Sequence, residues 1–212
     1  MRSFFIESIE KLKRRKNRFK CIFASGEFIE LPDFMIVKYS LSEGKSISEK
    51  TFNELFSEAA IEKGKEQAFR LLSYRARSKN ELKNRIVQSG LGINTAETVV
   101  NDLEKIKLID DEEFAFSFVR DIINRKPAGE FLVKNELKKK GIKEDIINKV
   151  VNKVFSEIDR IELARKGMRQ WIARHPKTGL VERRKKIADF LYRRGFSWST
   201  IEEVVGDDSA IK

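Results

Sequence analysis

Three glycines, Gly90, Gly141 and Gly195, stand in the same local frame, and that recurrence limits the possible folds of the chain more than any other feature. Four residues before them come Ile86, Leu137 and Leu191, and directly after them Leu91, Ile142 and Phe196. Eight residues before stand Leu82, Val133 and Ile187; nine and ten after stand Val99-Val100, Val150-Val151 and Val204-Val205. A period near fifty residues is longer than that of helical-pair repeats, about 34 residues, and has room for three helices per unit. Each unit therefore reads as helix, turn, helix, glycine turn, helix. There is a physical reason for glycine here. It can take the left-handed position that ends the second helix, where a Cβ is penalised, while the apolar residue after it packs back on the last turn.

Helix-start signals agree with this frame. Ser78-Lys79-Asn80-Glu81 and Ser199-Thr200-Ile201-Glu202 have capping-box form, and Asn94 with Glu97 and Asp110 with Glu113 are related patterns. Upstream, Phe52, Leu55, Phe56, Ala59 and Ala60 mark one apolar face of a helix that Gly64 is expected to stop. The third unit is less regular, because Arg174-His175-Pro176-Lys177-Thr178-Gly179 lengthens the link after a helix carrying Met168, Trp171 and Ile172.

The first fifty residues differ. Short β-prone runs at Phe4 to Ile9, Arg18 to Phe23 and Glu27 to Leu31 are separated by polar or turn-forming residues, with Ser25-Gly26 as a hairpin signal and Pro32-Asp33 as the end of the ribbon. The expected fold is mainly α: three tandem three-helix repeats in an elongated, curved array with a small β-rich N-terminal appendage. The expected divisions are the appendage over 1–50, a connecting helix over 51–66, repeats over 67–109, 110–157 and 158–206, and a tail over 207–212.

Charge speaks to partners rather than to fold. There are 44 basic against 33 acidic residues, a net charge of +11, and from Arg160 to Phe196 twelve cations face only Glu162, Glu182 and Asp189. The run Glu182 to Arg194 is expected to turn Ile187, Phe190 and Leu191 inward and its cations outward. Arg183, Arg184, Lys185, Lys186, Arg193 and Arg194, extended by Arg165, Arg169 and Arg174, form the candidate surface for phosphates or for acidic residues of a protein. The plainer alternative is a solvated charged face.

Catalytic groups are scarce. The single histidine, His175, lies beside Pro176 in a basic turn and reads as an exposed loop residue; the single cysteine, Cys21, reads as a small buried hydrophobe. One Cys and one His do not make a usual zinc ligand set, no phosphate-cradling loop is present, and Gly90-Leu91-Gly92 is a turn. Asp110-Asp111-Glu112-Glu113 has the carboxylates for a divalent cation, yet carboxylates at a helix start satisfy free N–H groups, and capping is the expected role. Trp171 and Trp198, set among apolar residues, are expected in the core rather than stacked on bases. No cofactor is expected. The unpaired cysteine suits a reducing cytoplasm, and Met1 to Lys16, interrupted by Glu7 and Glu10 and without a small-residue cleavage site, reads as neither signal peptide nor membrane span.

Three segments occur in order: Ala68 to Leu82, with Arg75-Ala76-Arg77-Ser78-Lys79-Asn80-Glu81-Leu82; Leu108-Ile109-Asp110-Asp111-Glu112-Glu113-Phe114-Ala115; and Glu136-Leu137-Lys138-Lys139-Lys140-Gly141-Ile142. Over about Glu66 to Val205 this series resembles the RecX family of recombinase regulators. The chain is expected to be a non-enzymatic, cytoplasmic monomer, and the resemblance implies a role in homologous recombination. It would bind the RecA–DNA filament along its groove and inhibit ATP hydrolysis and strand exchange; the basic residues leave open whether the surface touches RecA, single- or double-stranded DNA, or both. Charge and three-helix units alone leave open an autonomous DNA-binding module of helix-turn-helix-like units, and the acidic run a metal-dependent nuclease.

Overall fold

The computed structural model describes residues 2–13, 17–176 and 179–206, apart from the side chains of Leu180 and Val181. The expected tail over 207–212, and Lys177 and Thr178 of the long third-repeat link, lie outside the described residues. The chain divides into two compact units, Met1–Arg75 with Lys83–Asp102, and Ala76–Leu82 with Leu103–Lys212.

In the first unit β1 (Ser3–Lys11), β2 (Arg18–Phe23), β3 (Phe28–Pro32) and β4 (Ser46–Ser48) form an antiparallel sheet in the order β3-β2-β1-β4. The strand alternation sends Phe4, Ile6, Cys21, Phe23, Ile29, Leu31 and Ile47 to one buried face. A short α1 (Asp33–Lys38), which the strand pattern does not announce, follows Pro32 and buries Met35. Gly26 turns the β2–β3 hairpin with φ +94°.

The sheet is covered by α2 (Glu49–Leu72), capped at its start by Ser48, whose hydroxyl accepts the Thr51 N–H at 3.1 Å. Phe52, Leu55 and Ala59 enter the sheet's core, and Phe52 stacks on Phe4 with centroids 3.8 Å apart. This helix is thus part of the N-terminal core as well as a connector, and it continues past Gly64 to Leu72. Gly64 does not end it: the residue is buried inside α2, where a Cβ would stand 2.9 Å from Val99 Cγ2. Close approach, not a stop signal, is its role.

The repeats are α3 (Lys79–Gln88) and α4 (Ile93–Lys105) after the end of α2; α5 (Asp111–Arg125), α6 (Glu130–Lys139) and α7 (Glu144–Ser156); and α8 (Arg160–Arg174), α9 (Leu180–Arg193) and α10 (Trp198–Gly206). Gly90, Gly141 and Gly195 take φ of +91°, +73° and +79°. After α6 and α9 the turns close as Schellman motifs: Gly141 and Gly195 N–H donate to Lys138 and Tyr192 at 2.9 and 2.8 Å, and Ile142 and Phe196 N–H to Leu137 and Leu191 at 3.2 Å. The apolar residues at the repeated offsets, Val133, Leu137, Ile142, Val150, Val151, Ile187, Leu191, Phe196 and Val204, lie in the core of the second unit.

Two helix starts differ from the sequence reading. The Ala96 N–H bonds the Gly92 carbonyl, so α4 begins before Asn94; α10 is capped by Ser197, whose hydroxyl accepts from Thr200 N–H at 3.3 Å, and not by Ser199. Both shifts follow from the tight glycine exit, which leaves only a residue or two before the next helix.

Candidate partner-binding surface

Within the second unit each glycine turn serves as a docking element for the preceding repeat. The turn after α6 meets the start of α3: Ser78 Oγ donates to the Lys140 carbonyl at 2.6 Å, Lys140 Nζ reaches Glu81 at 2.7 Å, and a Cβ on Gly141 would stand 2.5 Å from Asn80 Cβ. The turn after α9 meets the start of α6 through backbone groups. Gly129 and Phe131 N–H donate to the Arg194 and Gly195 carbonyls at 2.8 and 3.1 Å, and a Cβ on Gly195 would stand 2.6 Å from Leu132 Cβ. At the α9–α6 contact, carbonyls at one helix end thus satisfy free N–H groups at the start of another, with dipoles in a favourable sense.

The acidic run is consumed by this architecture. Asp110 caps α5 through the Glu112 and Glu113 N–H groups at 2.7 and 3.2 Å, Glu112 pairs with Lys149 at 2.7 Å, and Asp111 accepts the Lys79 N–H at 2.8 Å. Burial raises the Asp111 pKa above the ordinary aspartate value, against the lowering effects of the Lys79 backbone bond and charge. Among the described residues no group of three His, Cys, Asp or Glu is placed to hold a metal.

The nine candidate cations do not form one uniform face. On α9, Ile187 and Leu191 are buried and Phe190 half-buried, while Lys185, Lys186 and Arg193 point outward; Lys186 and Arg193 lie on one line, about two turns apart. Glu182 and Asp189 share that outer side, and Lys186 pairs with Glu182 at 2.7 Å, so the expected outward cations are interleaved with carboxylates. Arg184 is exposed on a flank; Arg183 is half-buried and donates to the Pro176 carbonyl at 3.3 Å.

On α8, Arg169 is exposed and paired with Glu162 at 2.5 Å. Arg174 is exposed and Arg165 half-buried. The nine-residue step from Arg165 to Arg174 is about two and a half turns, which sets them on opposite sides of the helix. Arg194 is drawn inward: its Nε donates to the Pro127 carbonyl at 2.7 Å and its Nη2 to the Lys126 carbonyl at 3.1 Å, tying the end of α9 to the α5–α6 turn. Its burial lowers its pKa without removing the charge.

Trp171 is buried, as expected, and stacks on the exposed His175 with centroids 4.3 Å apart. Trp198 corrects the expectation: it is 58% exposed. It is the first residue of α10, and because Cβ bonds tilt toward the helix start, its ring projects past the end of the packed turn. Phe131 is also exposed, at 61%. The sequence held a signal for it: two residues before Val133, it falls off the Val133–Leu137 apolar stripe of α6.

The fold defines a class, a tandem three-helix-repeat protein with a small N-terminal antiparallel sheet. Residues 110–151 match the family model for the RecX second three-helix domain, and residues 157–205 that for the RecX third three-helix domain. Proteins named regulatory protein RecX align in sequence: that of Chlorobaculum tepidum is 32% identical over 68% of this chain and 90% of its own length. That of Pelodictyon phaeoclathratiforme is 30% identical over 65% and 84%. The Geobacillus sp. protein is 28% identical over 81% of this chain, which spans only 63% of that relative. Among solved structures, a crystal structure of regulatory protein RecX has a TM-score of 0.72 at 24% identity over 97% of this chain and 100% of its own. RecX from Lactobacillus salivarius has a TM-score of 0.61 at 24% identity, over 70% and 96%. This chain belongs to the RecX family. Among the described residues no helix is long and apolar enough to cross a membrane.

Proposed function

We propose that this chain is a regulator of homologous recombination that docks on the RecA–DNA filament, in its groove, and inhibits ATP hydrolysis and strand exchange by contact alone. Membership of the RecX family carries the reading. The repeated docking of one three-helix unit on the next supports it, since a series of like units offers like contacts to a filament with its own repeat. The outward cations Arg169, Arg174, Arg184, Lys185, Lys186 and Arg193 are the proposed contacts, with Arg165 and Arg183 as flanking supports and Arg194 as a residue that holds the fold.

The carboxylates Glu182 and Asp189 among these cations favour a protein surface of mixed charge over naked phosphate backbone. The decisive measurement is DNA-dependent ATP hydrolysis by RecA as this protein is added, with co-sedimentation on the filament in parallel. Suppression with saturable binding is expected. No effect on hydrolysis, filament length or strand exchange would overturn the reading, and tight binding to naked DNA with a steep salt slope would transfer it to an autonomous DNA-binding module.

A further inference from the structure

A cavity of about 340 Å³ opens between the starts of α6 and α10. Its buried wall is Phe155 and Phe196, 2% and 4% exposed, and Phe131 lines its open side. Ser197, Ser199 and Thr200 supply a hydroxyl edge, in which Ser197 Oγ lies 3.1 Å from Ser199 Oγ and 2.8 Å from Thr200 Oγ1. Arg160 and Glu130 complete the rim, paired at 2.6 Å. Trp198, between two of the lining serines in sequence, is more than half exposed.

Three features select the occupant. The volume is at the lower end of the roughly 300–1,000 Å³ typical of ligand pockets, enough for one ring system and its linker. The apolar floor beneath a polar rim is the arrangement that takes an aromatic anchor at a protein interface, where such residues carry most of the binding energy. The rim is electrically balanced: Glu130 neutralises Arg160, and the Gly129, Phe131 and Thr200 N–H groups already donate to the Arg194 carbonyl, the Gly195 carbonyl and Ser197 Oγ. A phosphate would have to displace these partners, whereas a phenol or indole needs only the hydroxyls.

We propose that this cavity receives one aromatic side chain with a polar tip, a tyrosine or tryptophan, presented by a protein partner. That the partner is the recombinase rests on the filament reading above; the chemistry of the cavity does not.

The test has two arms. Full-length protein is titrated with N-acetyl-tyrosinamide while amide resonances are followed by NMR; saturable shifts at Glu130, Phe131, Ser199 and Thr200 are expected, with dissociation constants in the millimolar range or just below it. The shifts should vanish in Ser199→Trp, which occludes the cavity from an exposed position, and weaken in Phe131→Ala, both variants keeping wild-type helicity. No saturable shift at these amides overturns the proposal, and so does a larger response of the same amides to an oligothymidylate than to the tyrosine probe, which would make the cavity a nucleotide site. In the second arm, Ser199→Trp should lose filament affinity by roughly tenfold or more while its affinity for naked single-stranded DNA is unchanged. Unchanged filament affinity overturns the cavity's role at that interface, whereas a wild-type protein that ignores the filament sinks the recombinase reading and leaves the titration to decide the cavity.

Discussion

The buried Ser78 hydroxyl donates to the Lys140 carbonyl at 2.6 Å and accepts the Glu81 N–H at 3.1 Å, so one side chain both caps α3 and holds the glycine turn of the next repeat. A helix cap of this kind is worth about 1 kcal/mol, and a carbonyl deprived of its donor adds a comparable cost. Ser78→Ala should therefore lower stability by about 2 kcal/mol, read as a shifted urea midpoint at constant slope. A change within about 0.5 kcal/mol, the size of an ordinary surface substitution, would show that the link carries no energy.

The three repeat glycines should not respond alike to alanine. All have positive φ, which costs an L-residue about 1–2 kcal/mol, but a Cβ on Gly90 meets nothing, whereas one on Gly195 would overlap the Leu132 backbone. Gly90→Ala should cost only the conformational penalty, and Gly195→Ala more than about 3 kcal/mol because backbone cannot step aside. Gly129→Ala isolates the contact from the strain: its φ is −84°, yet its Cβ would overlap the Gly195 carbonyl. Equal losses at Gly90 and Gly195 would refute the docking role.

Asp111 gives the junction between α3 and α5 a pH dependence of definite sign. Its folded-state pKa is raised, chiefly by burial, so the folded state holds its proton to higher pH than the unfolded state. Stability from this group is complete below the unfolded aspartate pKa and is lost as pH rises through the folded value. Asp111→Asn keeps an acceptor for the Lys79 N–H and should remove this part of the pH dependence with little loss at neutral pH. Asp111→Ala strands the N–H and should cost about 1–3 kcal/mol. A titration midpoint for the Asp111 carboxyl at or below that of a free aspartate would contradict the argument.

Cys21 is fully buried in the sheet's core, and burial pushes its thiol pKa up to about 11. A thiol held protonated and out of solvent does not react at neutral pH. The folded protein should consume no Ellman's reagent over the time in which the urea-unfolded chain consumes one equivalent, and prompt labelling of the folded form would place this core in exchange with an open state.

Residues that act along the chain are legible in the sequence, and residues that act across it are not. The glycine frame locates the helix pairs of the repeats because a helix exit through a left-handed glycine is a local event. Gly64 reads as a stop because its reason for being glycine is Val99, thirty-five residues away, and α2 carries no local mark of that approach. Trp198 follows the apolar pattern yet stands in solvent, since periodicity gives the side of a helix but not whether anything lies beyond its first turn. The candidate surface is legible to the same extent. Charge counting from Arg160 to Phe196 finds the excess, but only the folded chain shows Glu182 and Asp189 beside Lys185, Lys186 and Arg193.

Arg193 and Arg194, adjacent in sequence, should separate binding from stability. The Arg194 guanidinium donates to two carbonyls of the α5–α6 turn, at 2.7 and 3.1 Å, a planar geometry that an ammonium cannot reproduce. Arg194→Lys should cost about 1–3 kcal/mol, since hydrogen bonds to charged groups are worth about 1.5–3 kcal/mol and lysine recovers part of one. Arg193 is exposed on the outer side of α9, so Arg193→Gln should leave stability within about 0.5 kcal/mol. On the proposed filament reading its effect falls on association: slower binding to the RecA filament is expected, with a weaker dependence on salt, as for a charge at the edge of an interface. Measured by thermal melts beside filament-binding kinetics, the two substitutions should fall on different axes. If Arg194→Lys bound poorly while melting like the wild type, the guanidinium would belong to the partner-facing surface and its two carbonyl bonds would be incidental to the fold.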